Sequence, residues 1–405
     1  MRRFWIALYS LTALTHVPFA VAVARALSRA SLPLPALFAA LLSTSAVILL
    51  RGRVANMRMD GPIARWRLYL VEEPFYVHWC ATVVSAPLFA LGALLIIARH
   101  LLLHASGSIT GEIGDLAICA HLAALPLSFY GVVVRRRWVR VRTIEISVPG
   151  LGSAFEGYRI AQLSDLHIGG LGPRRRAARW VRRANALDVD LVALTGDYVT
   201  SGTAFHHDIA AVLTELRARD GVFAVLGNHD YFGEGEPMIS MLRRGGVTVL
   251  RNEHRTISRG DDRLVVAGVD DTYTRRADIA RALRGREPGL PVVALAHDPQ
   301  LFTELARSGA ALVLSGHTHW GQLALPFLAE RVNLSRLSYR YHAGLYSSGA
   351  STLYINPGLG TTGPPVRLGA PPEITVLRLH RAEAPSSTVG MPPALGIEPR
   401  PSIHD

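Results

Sequence analysis

Four long apolar segments dominate the first third of the chain and limit what it can fold into. They are Phe4–Ala24, Leu32–Leu50, Phe75–Ala98 and Ile113–Val134. A helix of about 20 apolar residues crosses the hydrocarbon core of a bilayer, which is about 30 Å thick. We therefore predict an all-α transmembrane region of about four helices in residues 1–140. Buried helices of a large soluble core are the alternative, which the near absence of charge inside the segments disfavours.

The positive charge of the chain is concentrated beside these segments. The formal net charge is +12 over 405 residues, and all 43 basic residues are arginine. Residues 1–145 carry fifteen arginines against six acidic residues, whereas residues 146–405 are almost balanced. A nucleic-acid-binding domain carries a basic face, so this distribution argues against a nucleic-acid partner.

The arginines also predict how the segments are oriented. If all four cross the membrane, twelve arginines fall on one side, and only Arg25, Arg29 and Arg99 fall on the other. Cytoplasmic loops of membrane proteins carry the excess of arginine. We therefore expect a multi-pass protein of the cell (inner or cytoplasmic) membrane, with its N-terminus and its catalytic domain in the cytoplasm. A segment that failed to cross would move that domain to the other side.

Three histidines and two cysteines lie within the four apolar segments. For His16, His78 and His121, packing against neighbouring helices is the interpretation we favour over haem binding or a proton relay. The spacing of Cys80 and Cys119 indicates neither a zinc site nor a disulfide framework.

From about Val141 the pattern changes to short β-branched runs that alternate with helical patterns. This alternation predicts an α/β domain over residues 141–381, with a second sheet from its β-rich C-terminal part. Residues 382–405 contain several Pro and Ser and are predicted to be a flexible tail. The predicted strands are Arg142–Val148, Tyr158–Ser164, Leu191–Thr195, Val222–Leu226, Val247–Leu250, Leu264–Val269, Val292–Ala296, Ala311–Ser315, Thr352–Ile355 and Ile374–Leu379. The predicted helices are Pro173–Ala186, His207–Arg219, Glu236–Arg244, Arg275–Arg284 and Gln300–Arg307.

Five of the predicted strands are followed by clusters of Asp, Asn or His. The clusters are Asp165-Leu166-His167, Gly196-Asp197, Gly227-Asn228-His229-Asp230, His297 and Gly316-His317-Thr318-His319. Ligands collect at the carboxyl ends of strands in α/β sheets, and glycine permits the tight turns that such ends need. Each cluster alone is more often a helix cap or a turn than a catalytic site. The five together predict a metal site.

The donor types narrow the chemistry of that site. Oxygen and nitrogen donors without cysteine suit Mn, Fe or Zn better than calcium. Seven donors are too many for one tetrahedral ion but suit two divalent ions that share a carboxylate. Such a pair clamps the oxygens of a phosphoryl group, so the pattern predicts hydrolysis of a phosphate ester.

These motifs, in this order, resemble those of the calcineurin-like metallophosphoesterase superfamily over roughly Arg142–Arg381. The resemblance implies an α/β (α+β) two-sheet sandwich flanked by helices. It also implies a ligand set for each ion: Asp165, His167 and His319 for one metal, Asn228, His297 and His317 for the second, and Asp197 as the bridge. His229 would contact the phosphate and protonate the leaving oxygen, and Asp230 would orient it.

Later motifs narrow the resemblance to the bacterial membrane-associated branch of that superfamily. They are Gly321–Pro326, Gly344–Tyr346, Gly358–Gly360 and Pro365–Arg367. Some members of this branch and related enzymes cleave phosphodiesters or lipid-linked sugar nucleotides such as UDP-2,3-diacylglucosamine.

Two residues depart from the pattern of many relatives, which have an acidic residue at Thr200 and Gly at Trp320. Neither is expected to touch a ligand, and Trp320 is expected either to line the substrate cleft or to pack as a surface aromatic. Leu325–Tyr346 mixes apolar residues with Arg and is either a lid that faces the lipid surface or an ordinary excursion over the core.

We therefore expect a membrane-anchored phosphoesterase that acts through attack of a metal-bound hydroxide. Its expected partners are a phosphorylated small-molecule or lipid substrate and membrane lipids, and the sequence predicts no particular oligomeric state. A non-catalytic membrane scaffold or sensor with the same fold is the alternative. A nucleic-acid phosphodiesterase ranks lower because the net charge of the catalytic domain is small.

Overall fold

A computed structural model of the chain describes residues 2–32, 34–57, 63–172, 174–325 and 327–382. The predicted tail lies outside these residues, apart from Ala382. Long helices form the N-terminal part of the described structure, and two β-sheets form the rest.

The N-terminal part contains five α-helices, of which the last three are extended by turns of other helical types. They are α1 (Arg2–Arg29), α2 (Pro35–Met57), α3 (Arg65–Arg67), α4 (Glu73–Leu103) and α5 (Ile109–Phe129). The π-helical turn Leu68–Glu72 joins α3 to α4, and the turns Tyr130–Val134 and Arg135–Arg137 continue α5.

Three of the described helical stretches are long and apolar enough to cross a membrane. They are Leu8–Arg29, Arg65–Leu103 and Ile109–Arg137. By length and hydropathy, the prediction of about four such helices is therefore too high for the described residues. The remaining predicted segment falls in α2, whose described apolar part, Pro35–Ser45, is too short. Ser31 and Leu34 have positive φ angles in the turn before α2, so this helix begins at Pro35 and not at Leu32, where the predicted segment begins.

Ion pairs fix the directions of three of these helices. The start of α5 contacts the end of α1, because Arg25 Nε lies 2.9 Å from Asp115 Oδ1. The end of α4 also contacts the start of α5, since His100 Nε2 lies 3.2 Å from Glu112 Oε1. Helices α1 and α4 are therefore parallel to each other and antiparallel to α5. The intervening α2 packs on α1 and returns the chain to the side where α4 begins.

Two six-stranded sheets form the second part of the structure. The strands are β1 (Arg140–Val148), β2 (Tyr158–Leu163), β3 (Leu191–Thr195), β4 (Val222–Val225), β5 (Thr248–Val249), β6 (Glu253–Arg259), β7 (Asp262–Val269), β8 (Val292–Ala296), β9 (Leu312–Ser315), β10 (Gly344–Ser348), β11 (Ser351–Ile355) and β12 (Glu373–Arg381). Their order is β1-β12-β2-β3-β4-β5 in the first sheet and β10-β11-β9-β8-β7-β6 in the second. Strands β2 to β5 are parallel in the first sheet, as are β7, β8, β9 and β11 in the second.

The main apolar core lies between the two sheets. Side chains such as Ile160, Leu191, Val293 and Leu314 are fully buried there. The helices cover the outer faces: α6 (Arg174–Asn185), α7 (His206–Leu213) and α8 (Glu236–Arg244) on the first sheet, and α9 (Ile279–Ala282) and α10 (Phe302–Arg307) on the second. The predicted two-sheet sandwich flanked by helices is confirmed, and it brings the carboxyl ends of parallel strands from both sheets to one edge.

Some of the predicted elements differ from the observed ones. The C-terminal strands do not form a sheet of their own, because β12 inserts between β1 and β2 of the first sheet. Strand β6 was not predicted, since it lies at the edge of the second sheet and carries mostly polar, exposed residues. Helix α9 is shorter than the predicted Arg275–Arg284, because its N-cap is Asp278, whose side chain accepts from the backbone of Arg281.

Candidate metal centre

The clusters predicted from the sequence lie at the carboxyl ends of five strands, three in the first sheet and two in the second. Strands β2, β3 and β4 precede the clusters that contain Asp165, Asp197 and Asn228, and strands β8 and β9 precede His297 and His317. The two sheets meet at this edge, so residues far apart in the chain become neighbours. All seven predicted ligands lie at this edge. The last of them in the chain is His319, which also follows β9.

The first group of candidate ligands comprises Asp165, His167 and His319. One ligand atom from each lies within 4.8 Å of the other two, and all three residues are buried. The Nε2 atoms of His167 and His319 are 3.0 Å apart, and His319 Nε2 is 3.3 Å from Asp165 Oδ1. These atoms face a common point, so the three residues could hold one ion.

A second group comprises Asp197, His297 and His317, whose ligand atoms also lie within 4.8 Å of one another. His297 Nε2 lies 3.2 Å from both Asp197 Oδ2 and His317 Nδ1. Asn228, the fourth residue predicted for this ion, is buried, and its Oδ1 atom has no hydrogen-bond partner. A buried amide oxygen without a partner is costly, and a cation would satisfy it.

Asp197 lies between the two groups. Its Oδ2 atom is 3.5 Å from His167 Nε2 in the first group and 3.2 Å from His297 Nε2 in the second. A carboxylate in this position can bridge two ions. The donor set of carboxylate, imidazole and amide groups therefore fits a pair of divalent ions.

The backbone at this site is held in an unusual conformation. Five of the seven predicted ligands have left-handed φ angles between 45° and 70°: Asp165, His167, Asp197, His317 and His319. Each such residue costs about 1–3 kcal/mol and persists only where the surroundings enforce it. This concentration of strain at one edge is typical of a functional site.

Glycine makes the close approach of these loops possible. A Cβ atom on Gly316 would lie 2.2 Å from Asp165 Oδ2, and one on Gly227 would lie 2.1 Å from Asp197 Oδ1. A side chain at either position would therefore push a candidate ligand out of place.

Burial sets the protonation of the histidines. It lowers the pKa of His167 to about 3 and that of His317 to about 4, and it holds the pKa of His319 well below its ordinary value. These rings are neutral at pH 7, which is the form that binds a metal. For His297, burial also lowers the pKa, but the charge of Asp197 outweighs it and raises the pKa to about 10. A divalent cation beside Asp197 would compete with that proton.

His229 lies beside the first group, and its ring centroid is 4.7 Å from that of His167. Its Nδ1 atom donates to the backbone carbonyl of Thr200 at 2.5 Å, which leaves Nε2 as the free ring nitrogen. Thr200 Oγ1 also donates to the carbonyl oxygen of His167 at 3.1 Å. The expectation that Thr200 touches no predicted ligand is wrong, because the loop after β3 folds back and Thr200 contacts His167.

Asp230 does not orient the His229 ring as expected. Its carboxylate instead accepts from the backbone N–H groups of Asp197, Tyr198 and Gly227 at 2.8, 2.8 and 2.9 Å. These loops enclose the Asp230 carboxylate, and the groups that donate to it are backbone N–H groups. Asp230 therefore ties the loop after β4 to the loop that carries Asp197.

Trp320 neither lines the cleft nor packs on the surface, so both expectations for it are wrong. The residue is 1% exposed, and its Nε1 atom donates to the carbonyl oxygen of Ile355 at 2.9 Å. It packs in the apolar layer on the outer face of the second sheet.

Sequence reasoning missed two residues that contact the predicted ligands. The buried Arg367 donates to His319 Nδ1 at 3.2 Å and to the carbonyl oxygen of Gly360. The hydroxyl of Tyr339 lies 3.2 Å from His317 Nε2. Arg367 belongs to the sequence motif Pro365–Arg367 described above, whereas Tyr339 belongs to none of the motifs.

A narrow cleft with a volume of about 40 Å³ lies between the centre and the helical bundle. His167 and Thr200 line its inner part, and Glu72 and Tyr76 of the helical bundle line its other side. Arg176 also lines the cleft, is 6% exposed, and has a buried Nε atom without a hydrogen-bond partner. Burial and the nearby Arg136 lower the pKa of Arg176 to about 9, so it is still cationic at pH 7.

Comparison with known proteins connects this geometry with one family. The profile of calcineurin-like phosphoesterases matches residues 158–321. A "Transmembrane protein with metallophosphoesterase domain" from Bos taurus is 32% identical over 346 residues, which are 78% of this chain and 77% of that protein. The protein of the same name from Danio rerio is 33% identical, and the match covers 69% of this chain but only 64% of that protein. The "Uncharacterized metallophosphoesterase YkuE" of Bacillus subtilis (strain 168) is 33% identical, with 64% of this chain and 93% of that protein covered.

Proposed function

Because this chain belongs to the calcineurin-like phosphoesterase family, we propose that it hydrolyses a phosphate ester on a lipid-linked substrate at the membrane surface. It is a metal-dependent phosphoester hydrolase and a membrane protein. The observation that carries the finer proposal is the cleft, since one wall comes from the candidate metal centre and another from the helical bundle.

The centre would hold two divalent ions of the Mn, Fe or Zn type. Asp165, His167 and His319 would bind one, Asn228, His297 and His317 the other, and Asp197 both. Such ions activate the nucleophile and neutralise the charge of the phosphoryl group.

His229 would supply the proton that the leaving oxygen needs. Its Nδ1 atom donates to the Thr200 carbonyl, so the ring is held in one orientation with Nε2 free. A protonated Nε2 beside the phosphate can donate to the leaving oxygen as the ester bond breaks.

Arg176 would bind a second anionic group of the substrate. It lines the cleft between the centre and the bundle, and its Nε atom lacks a partner. A guanidinium group suits a phosphate oxygen because several of its N–H groups can donate at once. This supports a diphosphate such as that of UDP-2,3-diacylglucosamine, with the acyl chains toward the bundle.

The loop that follows the candidate ligands supports contact with a lipid surface. Phe327 and Leu337 project fully or almost fully into solvent, and Leu325 is half exposed. Arg142 on β1, the strand that directly follows the last membrane helix, binds Glu330 of this loop at 2.8 Å. Apolar side chains next to arginines suit the interface of an anionic membrane.

We propose that the catalytic domain faces the cytoplasm. Helices α1 and α4 run in the same direction, so the chain must return to the other end of the bundle between them. The 23-residue α2, which packs on α1, would supply this return as a fourth crossing and make the number of crossings even. The arginines on the far side are paired: Arg25 and Arg29 with Asp115, and Arg99 with Glu112. The unbalanced positive charge therefore remains on the side of the domain, as the positive-inside rule requires.

Full-length protein in nanodiscs with Mn²⁺ would test the proposal. We expect cleavage of bis(p-nitrophenyl) phosphate and of UDP-2,3-diacylglucosamine, and the latter should react at least tenfold more efficiently than UDP-N-acetylglucosamine. Asp197→Ala and Asn228→Ala should abolish all three activities, whereas Asp261→Ala, a change at an exposed turn, should have no effect.

Other outcomes would contradict specific parts of the proposal. Equal efficiency with the acylated and the unacylated nucleotide would remove the lipid substrate but keep the phosphoesterase. Bound metal without turnover on any of these esters would favour the scaffold. Unchanged activity in both Asp197→Ala and Asn228→Ala would overturn the assignment of the centre.

A further inference from the structure

The hydroxyl of Tyr339 reaches the metal centre from the loop Leu325–Tyr346, which follows the centre in the chain. Its Oη atom lies 3.2 Å from Nε2 of His317, and the two rings meet edge to face with centroids 5.4 Å apart. The other ring nitrogen of His317, Nδ1, lies 3.2 Å from Nε2 of His297 and so faces the second group of candidate ligands. One nitrogen of His317 therefore points to the centre and the other to Tyr339.

A hydrogen bond of this kind selects the form of the ring that binds a metal. A neutral imidazole carries its hydrogen on one nitrogen and a lone pair on the other. When Nε2 of His317 donates to the hydroxyl oxygen of Tyr339, the lone pair is on Nδ1, which faces the candidate ligands. Metal-binding histidines commonly donate their other N–H to an acceptor in this way, which fixes both the tautomer and the orientation of the ring.

The same loop also holds the strained turn that carries His317. The φ angle of His317 is 70°, a left-handed conformation that persists only where the surroundings enforce it. The loop supplies such surroundings, since Thr318 Oγ1 donates to the carbonyl oxygen of His342 at 2.8 Å. The loop backbone also packs closely on the turn, because a Cβ atom on Gly321 would lie 2.6 Å from the backbone nitrogen of Ser335. The inner face of the loop therefore keeps this turn in its strained conformation.

The outer face of the loop is apolar and exposed. The side chain of Phe327 is fully exposed, and that of Leu337 is 85% exposed. Leu337 precedes Tyr339 by two residues, and the backbone N–H of Tyr339 donates to the carbonyl oxygen of Ser335 at 2.9 Å. Leu337 and Tyr339 therefore belong to one hydrogen-bonded turn. A surface that buries the outer face would stabilise this turn and, with it, the contact of Tyr339 with His317.

We propose that Tyr339 is a positioning residue for His317, and that it couples contact of the loop with a lipid surface to binding of the metal ion that His317 would hold. The inference rests on the membrane contact and the metal assignment proposed above. The ion pair between Arg142 and Glu330 ties the loop to the strand that follows the membrane helices, which favours a lipid surface over a soluble partner. Coupling between two binding events is reciprocal, so lipid contact and metal binding each strengthen the other.

Metal titration tests the role of Tyr339. Full-length protein in nanodiscs that contain anionic lipid would be stripped with a chelator and titrated with Mn²⁺ in a calorimeter. We expect Tyr339→Phe, which removes only the hydroxyl, to bind one of two Mn²⁺ ions about tenfold or more weakly, as is common when a hydrogen-bond partner of a metal ligand is lost. Tyr341→Phe removes a hydroxyl of the same loop that contacts Thr303 instead, and it should bind both ions as the wild type does. Wild-type affinity for both ions in Tyr339→Phe would overturn the proposal.

Turnover provides a second measurement, which separates positioning from a general loss of structure. In Tyr339→Phe the Mn²⁺ concentration for half-maximal hydrolysis of bis(p-nitrophenyl) phosphate should rise by about tenfold or more. At saturating Mn²⁺, kcat and KM should both return to wild-type values. A fall in kcat that excess Mn²⁺ does not restore would overturn the positioning role.

A double-mutant cycle tests the coupling to lipid. Protein with both Phe327→Ser and Leu337→Ser should bind the same ion about fivefold or more weakly in these nanodiscs. In the Tyr339→Phe background the two serine changes should have no further effect, because the contact with His317 is already lost. Unchanged Mn²⁺ affinity after the serine changes, or an equal loss in both backgrounds, would overturn the coupling. These titrations contain no substrate, so failure of UDP-2,3-diacylglucosamine to react would remove the proposed lipid substrate and leave this inference standing.

Discussion

The Nε2 atoms of His167 and His319 lie 3.0 Å apart, although the two residues follow strands of different sheets. Burial lowers both pKa values, so both rings are neutral and do not repel each other. At this distance two imidazole nitrogens can both bind one ion. The contact therefore couples metal binding to the way in which the two sheets meet.

Removing metal should consequently destabilise the whole catalytic domain. A ligand that binds only the folded state at a thousand times its Kd stabilises that state by about 4 kcal/mol. We expect a chelator to lower the melting temperature of the wild-type protein by several degrees and Mn²⁺ to restore it. Asp197→Ala protein, which lacks the shared carboxylate, should respond much less. Identical chelator responses in both proteins would contradict a metal shared between the sheets.

His229→Gln should slow turnover without loss of metal. The residue would provide a proton to the leaving oxygen, and general acids contribute about 10²- to 10⁴-fold to rates. We expect kcat to fall by about a hundredfold or more on an alkyl phosphodiester, whose alkoxide leaving group needs a proton. The effect should shrink with an ester whose leaving group is more acidic, because that group needs no proton. Loss of metal from this variant would assign His229 to metal binding instead.

Asp230→Ala should act through the backbone and not through His229. The change leaves the N–H groups of Asp197, Tyr198 and Gly227 buried without an acceptor. Each such group costs about 1–3 kcal/mol, so we expect a loss of roughly 3 kcal/mol or more in the free energy of unfolding. Denaturant unfolding and metal titration would measure the expected loss of stability and of metal affinity. A variant with normal stability and metal content but low kcat would restore the role expected from the sequence.

The sequence predicts the placement of the ligands better than the function of their neighbours. Asp165, Asp197 and Asn228 were predictable as neighbours because each follows an apolar strand, and parallel strands bring such ends to one edge. Asp230 and Trp320 were interpreted wrongly because their partners depend on how a loop folds back, which no local pattern records. The edge-to-face ring contacts of His16 and His121 with His78 depend on helix directions, which ion pairs such as Arg25–Asp115 set.

Arg176→Gln should weaken substrate binding and leave the chemical step intact. The side chain lines the cleft beside the centre, and its Nε atom has no hydrogen-bond partner in the described structure. We expect KM for UDP-2,3-diacylglucosamine to rise about tenfold or more, with kcat changed little. KM for bis(p-nitrophenyl) phosphate should be unaffected, because this ester has one phosphate group.

Arg175→Gln, an exposed neighbour, is the matched control. Equal effects on the two substrates would show that Arg176 does not bind a second anionic group.

Cysteine labelling should place the α4–α5 loop and the catalytic domain on opposite sides of the membrane. The loop lies beside the end of α1 at the far end of the bundle, since Arg29 pairs with Asp115 at 2.8 Å. Cys80 and Cys119 would be replaced first. A single cysteine would then be introduced in each of two variants, as Ser106→Cys in this loop or as Ser348→Cys in the domain. Both positions are exposed. In intact cells a membrane-impermeant maleimide should label Ser106→Cys and reach Ser348→Cys only after permeabilisation. The opposite pattern would place the domain outside the cytoplasm. Labelling of both positions in intact cells would contradict the crossing of α4 and α5.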